Sequence, residues 1–203
     1  MTKEFYDFVY KNSPTRWGKI NKSIAIDIAL EKLLKNYINK KIKIIDLGCG
    51  IGRTLNYIYR PEWELYGIDY SQSAIDFAKK EIKKPIDIRL GNIAKTLFPD
   101  KYFDIVYSLG VFEHVEPIKF DEPRRILKDD GIFICYMPTI TNKKENPKKE
   151  TLFCKEAGTK DWGTHFDLYY TTEQWISIIK SSNFEVHEQK SFFICKPIII
   201  NDK

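Results

Sequence analysis

Strand-like apolar runs alternate with amphipathic helical segments along the 203 residues, which predicts an α/β fold built on a doubly wound, mostly parallel sheet. Two further features sharpen that reading. Residues 44 to 52, Ile-Ile-Asp-Leu-Gly-Cys-Gly-Ile-Gly, carry an apolar strand straight into a glycine-rich turn, and Trp63 to Ile68 is a second apolar run that reaches Asp69. A strand, a glycine turn, a helix and a second strand closed by a carboxylate make the cradle of a nucleotide-type cofactor.

The elements follow in order. Residues 23 to 38 place apolar side chains at helical spacing, with Ser23 positioned as N-cap, and lead into the strand Ile42 to Leu47. A helix starts after Gly52, and the strand 63 to 68 comes next. The helix from Gln72 to about Lys83 stops because Pro85 excludes helical backbone at the residue before it; Ile86 to Leu90 is then the third strand. Phe103 to Ser108 and Gly131 to Met137 supply the fourth and fifth strands, with a helical segment Pro123 to Lys128 between them. Thr171-Thr172-Glu173-Gln174 opens a last helix with a capping-type start, Asn183 ends it, and Glu185 to Ile200 reads as a terminal hairpin. Regular alternation does not need residues 138 to 170. So long a segment beyond the carboxyl end of the fifth strand, on the binding side of the sheet, is expected to form a lid that helps build the ligand pocket. Residues 1 to 40 would be an N-terminal helical cap on a single domain.

Composition limits the function classes. The chain can bury a full core without disulfides, and nothing in it marks an interdomain linker. Cysteines 49, 135, 154 and 195 include no C-x-x-C pair, which argues against a zinc site or disulfide framework and fits a reducing compartment. The N-terminus lacks a cationic and then apolar leader pattern, and no run approaches about 20 apolar residues, so a cytoplasmic protein without a membrane partner is expected. A net charge of +5, from 33 basic and 28 acidic residues, names no partner and leaves RNA open. The one dense basic run, residues 143 to 149, reads as a solvated loop.

The ligand's identity lies in the glycine spacing. Glycines 48, 50 and 52 let the backbone turn sharply and let its amides approach a ligand at the start of a helix. A dinucleotide fingerprint would put its third glycine at position 53, where Arg53 stands; the pattern is G-x-G-x-G instead. Asp69 lies 21 residues beyond Gly48, where a carboxylate accepts hydrogen bonds from both ribose hydroxyls, with Tyr70 placed against an adenine face. The strings DLGCGIGRTL, LYGIDYS, GNIAKTLFPDKYFDIVYSLGVFEHV and RRILKDDGIFICYMP together resemble the successive motifs of class I S-adenosylmethionine-dependent methyltransferases of the ubiquinone and menaquinone type. The resemblance spans roughly residues 40 to 190.

That resemblance implies a Rossmann-like sheet of seven strands, the last antiparallel, which binds S-adenosyl-L-methionine and releases S-adenosyl-L-homocysteine. It assigns the methionine portion to Asp46 and the cofactor loop to Gly48, Cys49, Gly50 and Gly52. Asp69 and Tyr70 take the ribose and adenine. Asn92 stands where the family has an acid and offers the adenine both a donor and an acceptor, Ile93 walls the base, and Ser108 and Leu109 line the pocket with backbone. Methyl transfer asks mainly for positioning, so a base matters only if the acceptor must lose a proton. His114, in Phe112-Glu113-His114-Val115, and His165, on the expected lid, are the candidate bases; His187 falls on a strand alternation and reads as structural. Some ubiquinone-type relatives carry E-x-x-E-H around a divalent ion. Gly110 holds the first of those positions here, so no metal is expected. After Tyr107 the chain has neither an N-P-P-Y type string nor a Pro-Cys nucleophile, which favours a small-molecule acceptor methylated on O or N. An RNA or protein acceptor, a non-catalytic cofactor-binding module and a nicotinamide-dependent oxidoreductase are the rival readings. Two aromatic-rich stretches, Tyr6, Tyr10 and Trp17 on one side and Trp162, Phe166, Tyr169 and Tyr170 on the other, are placed to close over one site, and Arg16 to meet a carboxylate.

Overall fold

In the computed structural model, residues 2–20, 24–115, 117–139, 148–150, 166–168, 170–189 and 192–199 are described. The chain runs α1 (Lys3–Asn12), α2 (Ala25–Leu33), β1 (Ile42–Leu47), α3 (Arg53–Ile58), β2 (Trp63–Asp69), α4 (Gln72–Glu81) and β3 (Asp87–Leu90). It continues through β4 (Phe103–Leu109), α5 (Asp121–Ile126), β5 (Leu127–Tyr136), β6 (Lys148–Glu150), β7 (Phe166–Leu168), a helix α6 (Thr172–Ser181), β8 (Phe184–Gln189) and β9 (Phe193–Pro197). Seven strands form one sheet in the order β3-β2-β1-β4-β5-β9-β8, and β6 and β7 form a separate antiparallel ribbon. β1 to β5 are mutually parallel, while β9 runs antiparallel between β5 and β8. The expected seven-stranded sheet with an antiparallel last strand is therefore present.

Helices cover both faces, so the central strands are apolar on both sides rather than alternating. In β1 the side chains from Ile44 to Leu47 are all buried, and Asp46 is the one carboxylate among them. One face packs Ile44, Ile105 and Ile132 under Leu30 and Leu34 at α2, Leu55 of α3 and Ala78 of α4. The opposite face packs Ile45, Val106 and Phe133 against Ile126 of α5 and Trp175 and Ile179 of α6. Because β1 pairs with β2 on one side and β4 on the other, strand order reverses at β1. A crevice opens beyond the carboxyl ends of strands at such a switch point.

Several boundaries differ from the sequence expectation. Helix α2 is shorter than 23 to 38: Ile24 is its N-cap, and after Leu33 the chain tightens into a 3₁₀ turn, Leu34–Tyr37. Ser23 lies outside the described residues. Strand β5 begins at Leu127 instead of Gly131 because Leu127 already pairs with Phe103, after which the ladder shifts register before Ile105. Thr171 caps α6 as expected, its hydroxyl accepting from the Gln174 amide and the Gln174 side chain accepting from the Thr171 amide. Of the expected lid, only residues 138 and 139, the β6–β7 ribbon and Tyr170 are described; His165 and Trp162 lie outside.

Candidate functional site

The glycine turn between β1 and α3 is built for close approach. Gly48, Gly50 and Gly52 all have positive φ (83°, 52° and 72°), which L side chains rarely adopt. A Cβ on Gly48 would come within 2.5 Å of Val111, and one on Gly50 within 2.3 Å of the Tyr10 hydroxyl. Gly52 serves another purpose: a Cβ there would meet Ile82 and Ile88, so this glycine lets α3 settle against α4 and β3.

The expectation that the loop's amides present themselves to a ligand is corrected by where those amides point. Gly48 and Cys49 both donate to the Ile68 carbonyl, Gly52 donates to the Cys49 carbonyl, and Gly50 donates to Asp69 Oδ2 at 2.8 Å. A phosphate cradle needs free, convergent amides. The amides of Gly48, Cys49, Gly50 and Gly52 are thus spent inside the protein, and two carboxyl groups lie beside the turn.

Those carboxylates are Asp69 and Asp46, both buried at the ends of neighbouring strands. Asp69 is held rigid: Oδ1 accepts from the Ser71 amide at 2.9 Å while Oδ2 holds Gly50. Each oxygen keeps a further lone pair for a hydroxyl donor. Burial raises the Asp69 pKa, against the lowering effect of those backbone hydrogen bonds. Burial also lifts Asp46, to about 8, with the adjacent Tyr107 hydroxyl opposing the rise and Asp69 adding to it. The Tyr107 oxygen lies close enough to act on Asp46 but makes no bond of proper hydrogen-bond geometry among the described residues.

Around these groups the strand ends, α1 and the α1–α2 connection enclose a cavity of about 970 Å³. Asp46, Gly48, Cys49, Gly50, Asp69, Tyr70, Asn92, Ile93, Leu109 and His114 all line it. Gly52 and Ser108 do not; the Ser108 hydroxyl is buried and donates to the Leu47 carbonyl, tying β4 to β1. Asn92 commits Oδ1 to the Ala94 amide, so part of the expected adenine-binding capacity is used to shape its own turn. Tyr6, Tyr10 and Trp17 supply an aromatic wall, with ring centroids 4.9 Å apart for Tyr10 and Trp17 and 5.5 Å for Tyr6 and Tyr70. Tyr6 also reaches the His114 ring at 6.2 Å. Glu113 is buried beside His114, and Gly110, Tyr136 and Pro138 complete that end. Among the described residues, no group of three or more His, Cys, Asp or Glu side chains converges in a way that could hold a metal ion. None of the described helices is long and apolar enough to cross a membrane.

The sequence reading missed Asp27. It is fully buried in α2, accepts from the Thr54 hydroxyl at 2.8 Å and the Ile24 amide at 2.8 Å, and pairs with Arg53, which lines the cavity. The signal was present in the spacing: Asp27, Leu30 and Leu34 share the buried stripe, so a carboxylate stands where an apolar residue would serve.

Residues 45–135 match the family model described as a methyltransferase domain. An uncharacterised methyltransferase of Schizosaccharomyces pombe is 32% identical over 127 residues, which are 56% of this chain and 46% of that protein, so the chain spans about half of its length. The ubiquinone biosynthesis O-methyltransferase of Pelagibacter ubique is 33% identical over 188 residues, 86% of this chain and 73% of the relative. In fold, a Pyrococcus horikoshii crystal structure superposes with a TM-score of 0.71 at 23% identity, covering 97% of this chain and 100% of that one. A glycine turn with a buried carboxyl group at the end of the second strand suits S-adenosylmethionine, whose ribose hydroxyls can donate to that carboxyl group. With these relatives, the chain belongs to the S-adenosylmethionine-dependent methyltransferases.

Proposed function

We infer that the chain methylates a small organic acceptor held in the aromatic end of this cavity. One observation carries the reading: beside the glycine turn the cavity is walled by the aromatic and apolar side chains of Tyr6, Trp17, Val115, Tyr136 and Pro138, the lining of a small-molecule site. A polynucleotide would call for an exposed basic track. Among the described residues, the two cations on the wall are Lys3 and Arg53, and Arg53 is already paired with Asp27. The name of the Pelagibacter relative, a ubiquinone biosynthesis enzyme, points the same way.

The cofactor, when bound, supplies a methyl group on a sulfonium, which leaves in line without further activation. Within this reading Asp69 holds the ribose, Tyr70, Asn92 and Ile93 border the adenine, and Asp46 faces the amino-acid portion. The aromatic wall excludes water and tolerates positive charge. His114 lines the cavity, and in this reading it takes a proton from an acceptor hydroxyl or ammonium. His165, from outside the described residues, is the second candidate base.

The test is to incubate the full chain with S-adenosylmethionine carrying a tritiated methyl group, together with a panel of phenols, amines and quinols, bulk RNA, and protein extract. Label in the small-molecule fraction, reduced about 10²- to 10⁴-fold by His114→Ala if that residue is the base, supports the reading. Label confined to RNA or protein overturns it.

A further inference from the structure

Helix α1 belongs to neither layer of the sheet, yet it is fastened to the site at two points that share one helix face. Asp7 and Tyr10 are three residues apart, so their side chains emerge as neighbours. The Asp7 carboxylate sits on the first turn of α4, where Oδ1 accepts from the Ser71 hydroxyl at 2.7 Å and the Ser73 amide at 2.8 Å. Ser71, the N-cap of α4, passes the connection inward, because its own amide donates to Asp69 Oδ1. Asp69 then holds the Gly50 amide, and Gly50 is where α1 returns, through the Tyr10 hydroxyl. Hydrogen bonds thus run from Asp7 through Ser71 and Asp69 to Gly50, and the Tyr10 hydroxyl lies against that same glycine.

The position of the Tyr10 hydroxyl is chemically specific. It lies over the glycine that a side chain would block, lines the cavity, and is in electrostatic reach of both Asp69 and Asp46. Burial first, then those carboxylates and Cys49, raise its pKa well above the ordinary tyrosine value, so it remains a neutral hydroxyl that can donate to a carboxylate or accept from an ammonium. On Asp7 burial pushes the pKa up, but the hydrogen bonds from Ser73 and Ser71, with Lys3, outweigh it and hold the group ionised.

We propose that α1 is a cofactor clamp: Tyr10 gives its hydroxyl to the amino-acid end of S-adenosylmethionine over Gly50, and Asp7 is the positioning residue that seats it by capping α4. The proposal rests on the cofactor assignment and assigns two residues that the family motifs do not contain. Its signature is selectivity between ligands that differ only at that end. S-adenosylhomocysteine carries the aminocarboxylate, whereas 5′-methylthioadenosine keeps the base, ribose and sulfur without it.

Calorimetric titration of the full chain with both ligands, on the wild type and on Tyr10→Phe, Asp7→Ala and their combination, tests this. Tyr10→Phe should weaken S-adenosylhomocysteine about tenfold and leave 5′-methylthioadenosine unchanged, the second ligand also reporting that the variant is folded. Asp7→Ala, which removes the acceptor oxygen that holds Ser71 and Ser73, should reproduce the selective loss, and the double variant should be no worse than either single one, since both act through one contact. Equal weakening of the two ligands, tighter binding by Tyr10→Phe, additive losses, or no change overturns the clamp. Asp69→Ala, which should weaken both ligands through the ribose, separates the outcomes. If the wild type binds neither ligand the cofactor assignment itself fails, whereas wild-type binding that only Asp69→Ala reduces removes the clamp alone.

Discussion

At the scale of single residues, the site works by rigid placement of a few carboxylates around a backbone with no side chains in the way. Asp69 is fixed at both oxygens by amides that also set the shape of the glycine loop and the start of α4, so it presents its lone pairs without rotamer freedom to lose. Removing it by Asp69→Ala should cost about 2 to 4 kcal/mol of cofactor binding, ~30- to 1,000-fold in Kd, measured by titration with S-adenosylhomocysteine. An unaltered Kd in a folded variant would mean that Asp69 does not hold the ribose. Gly50→Val should abolish binding altogether, for two reasons that act together. Its φ of 52° disfavours a β-branched residue, and the added atoms would collide with the Tyr10 hydroxyl, expelling α1 from the site. Proteolysis of the N-terminal segment should then accelerate; a variant as resistant as the wild type would argue that the collision is absorbed elsewhere.

At the scale of elements, the site depends on how α2 and α3 are joined. Asp27 bonds Thr54 and pairs with Arg53 from a fully buried position, while the Arg53 side chain is only 12% exposed. Asp27→Ala would leave a guanidinium with little water and no counter-charge. It should therefore destabilise the fold by about 3 to 5 kcal/mol in urea denaturation, more than a surface ion pair could explain. The double change Asp27→Ala with Arg53→Met should recover much of that loss, because an apolar pair of similar volume avoids the buried charge. These elements also show what a sequence makes legible. The strands β1, β2 and β4 and the helix α6 could be read directly because each has a long apolar run or a capping box, which are local signals. The start of β5 at Leu127 could not, since what extends the strand there is pairing with Phe103 across a register shift at Asp104. Likewise the glycine loop could be located from its spacing, but not the fate of its amides, which depends on the Ile68 and Cys49 carbonyls and on Asp69. Tyr10 was visible as an aromatic near the N-terminus. That it belongs over Gly50 follows only from the docking of α1 through Asp7.

At the scale of the whole molecule, two buried carboxylates on adjacent strands couple folding, ligand binding and pH. Asp46 titrates at about 8 in the folded chain because burial, reinforced by Asp69, outweighs the Tyr107 hydroxyl, and Asp69 is raised as well, chiefly by burial. An unfolded chain releases these protons near the ordinary aspartate value of about 4. At Asp46, between about pH 4 and pH 8, the folded state therefore holds a proton that the unfolded state has lost, and this group's contribution makes the stability of the ligand-free protein fall as pH rises through that window. For Asp46 alone the loss is of order 2 to 5 kcal/mol, flattening above about pH 8, where the group is ionised in both states. A positively charged ligand beside Asp46 reverses the balance by favouring the ionised form, so it should bind more tightly as pH rises and displace a proton as it does so. Thermal melts at pH 5.5 and pH 8 should show the free protein losing Tm across this range. The Tm increment given by a fixed concentration of S-adenosylmethionine should grow over the same range. Asp46→Asn, which carries no titrating proton, should flatten both dependences; a variant that keeps the wild-type slope would place the coupling elsewhere. Titration in buffers of different ionisation enthalpy supplies the independent check, since proton release at pH 7 makes the measured heat depend on the buffer, and S-adenosylhomocysteine, lacking the sulfonium charge, should release fewer protons than S-adenosylmethionine.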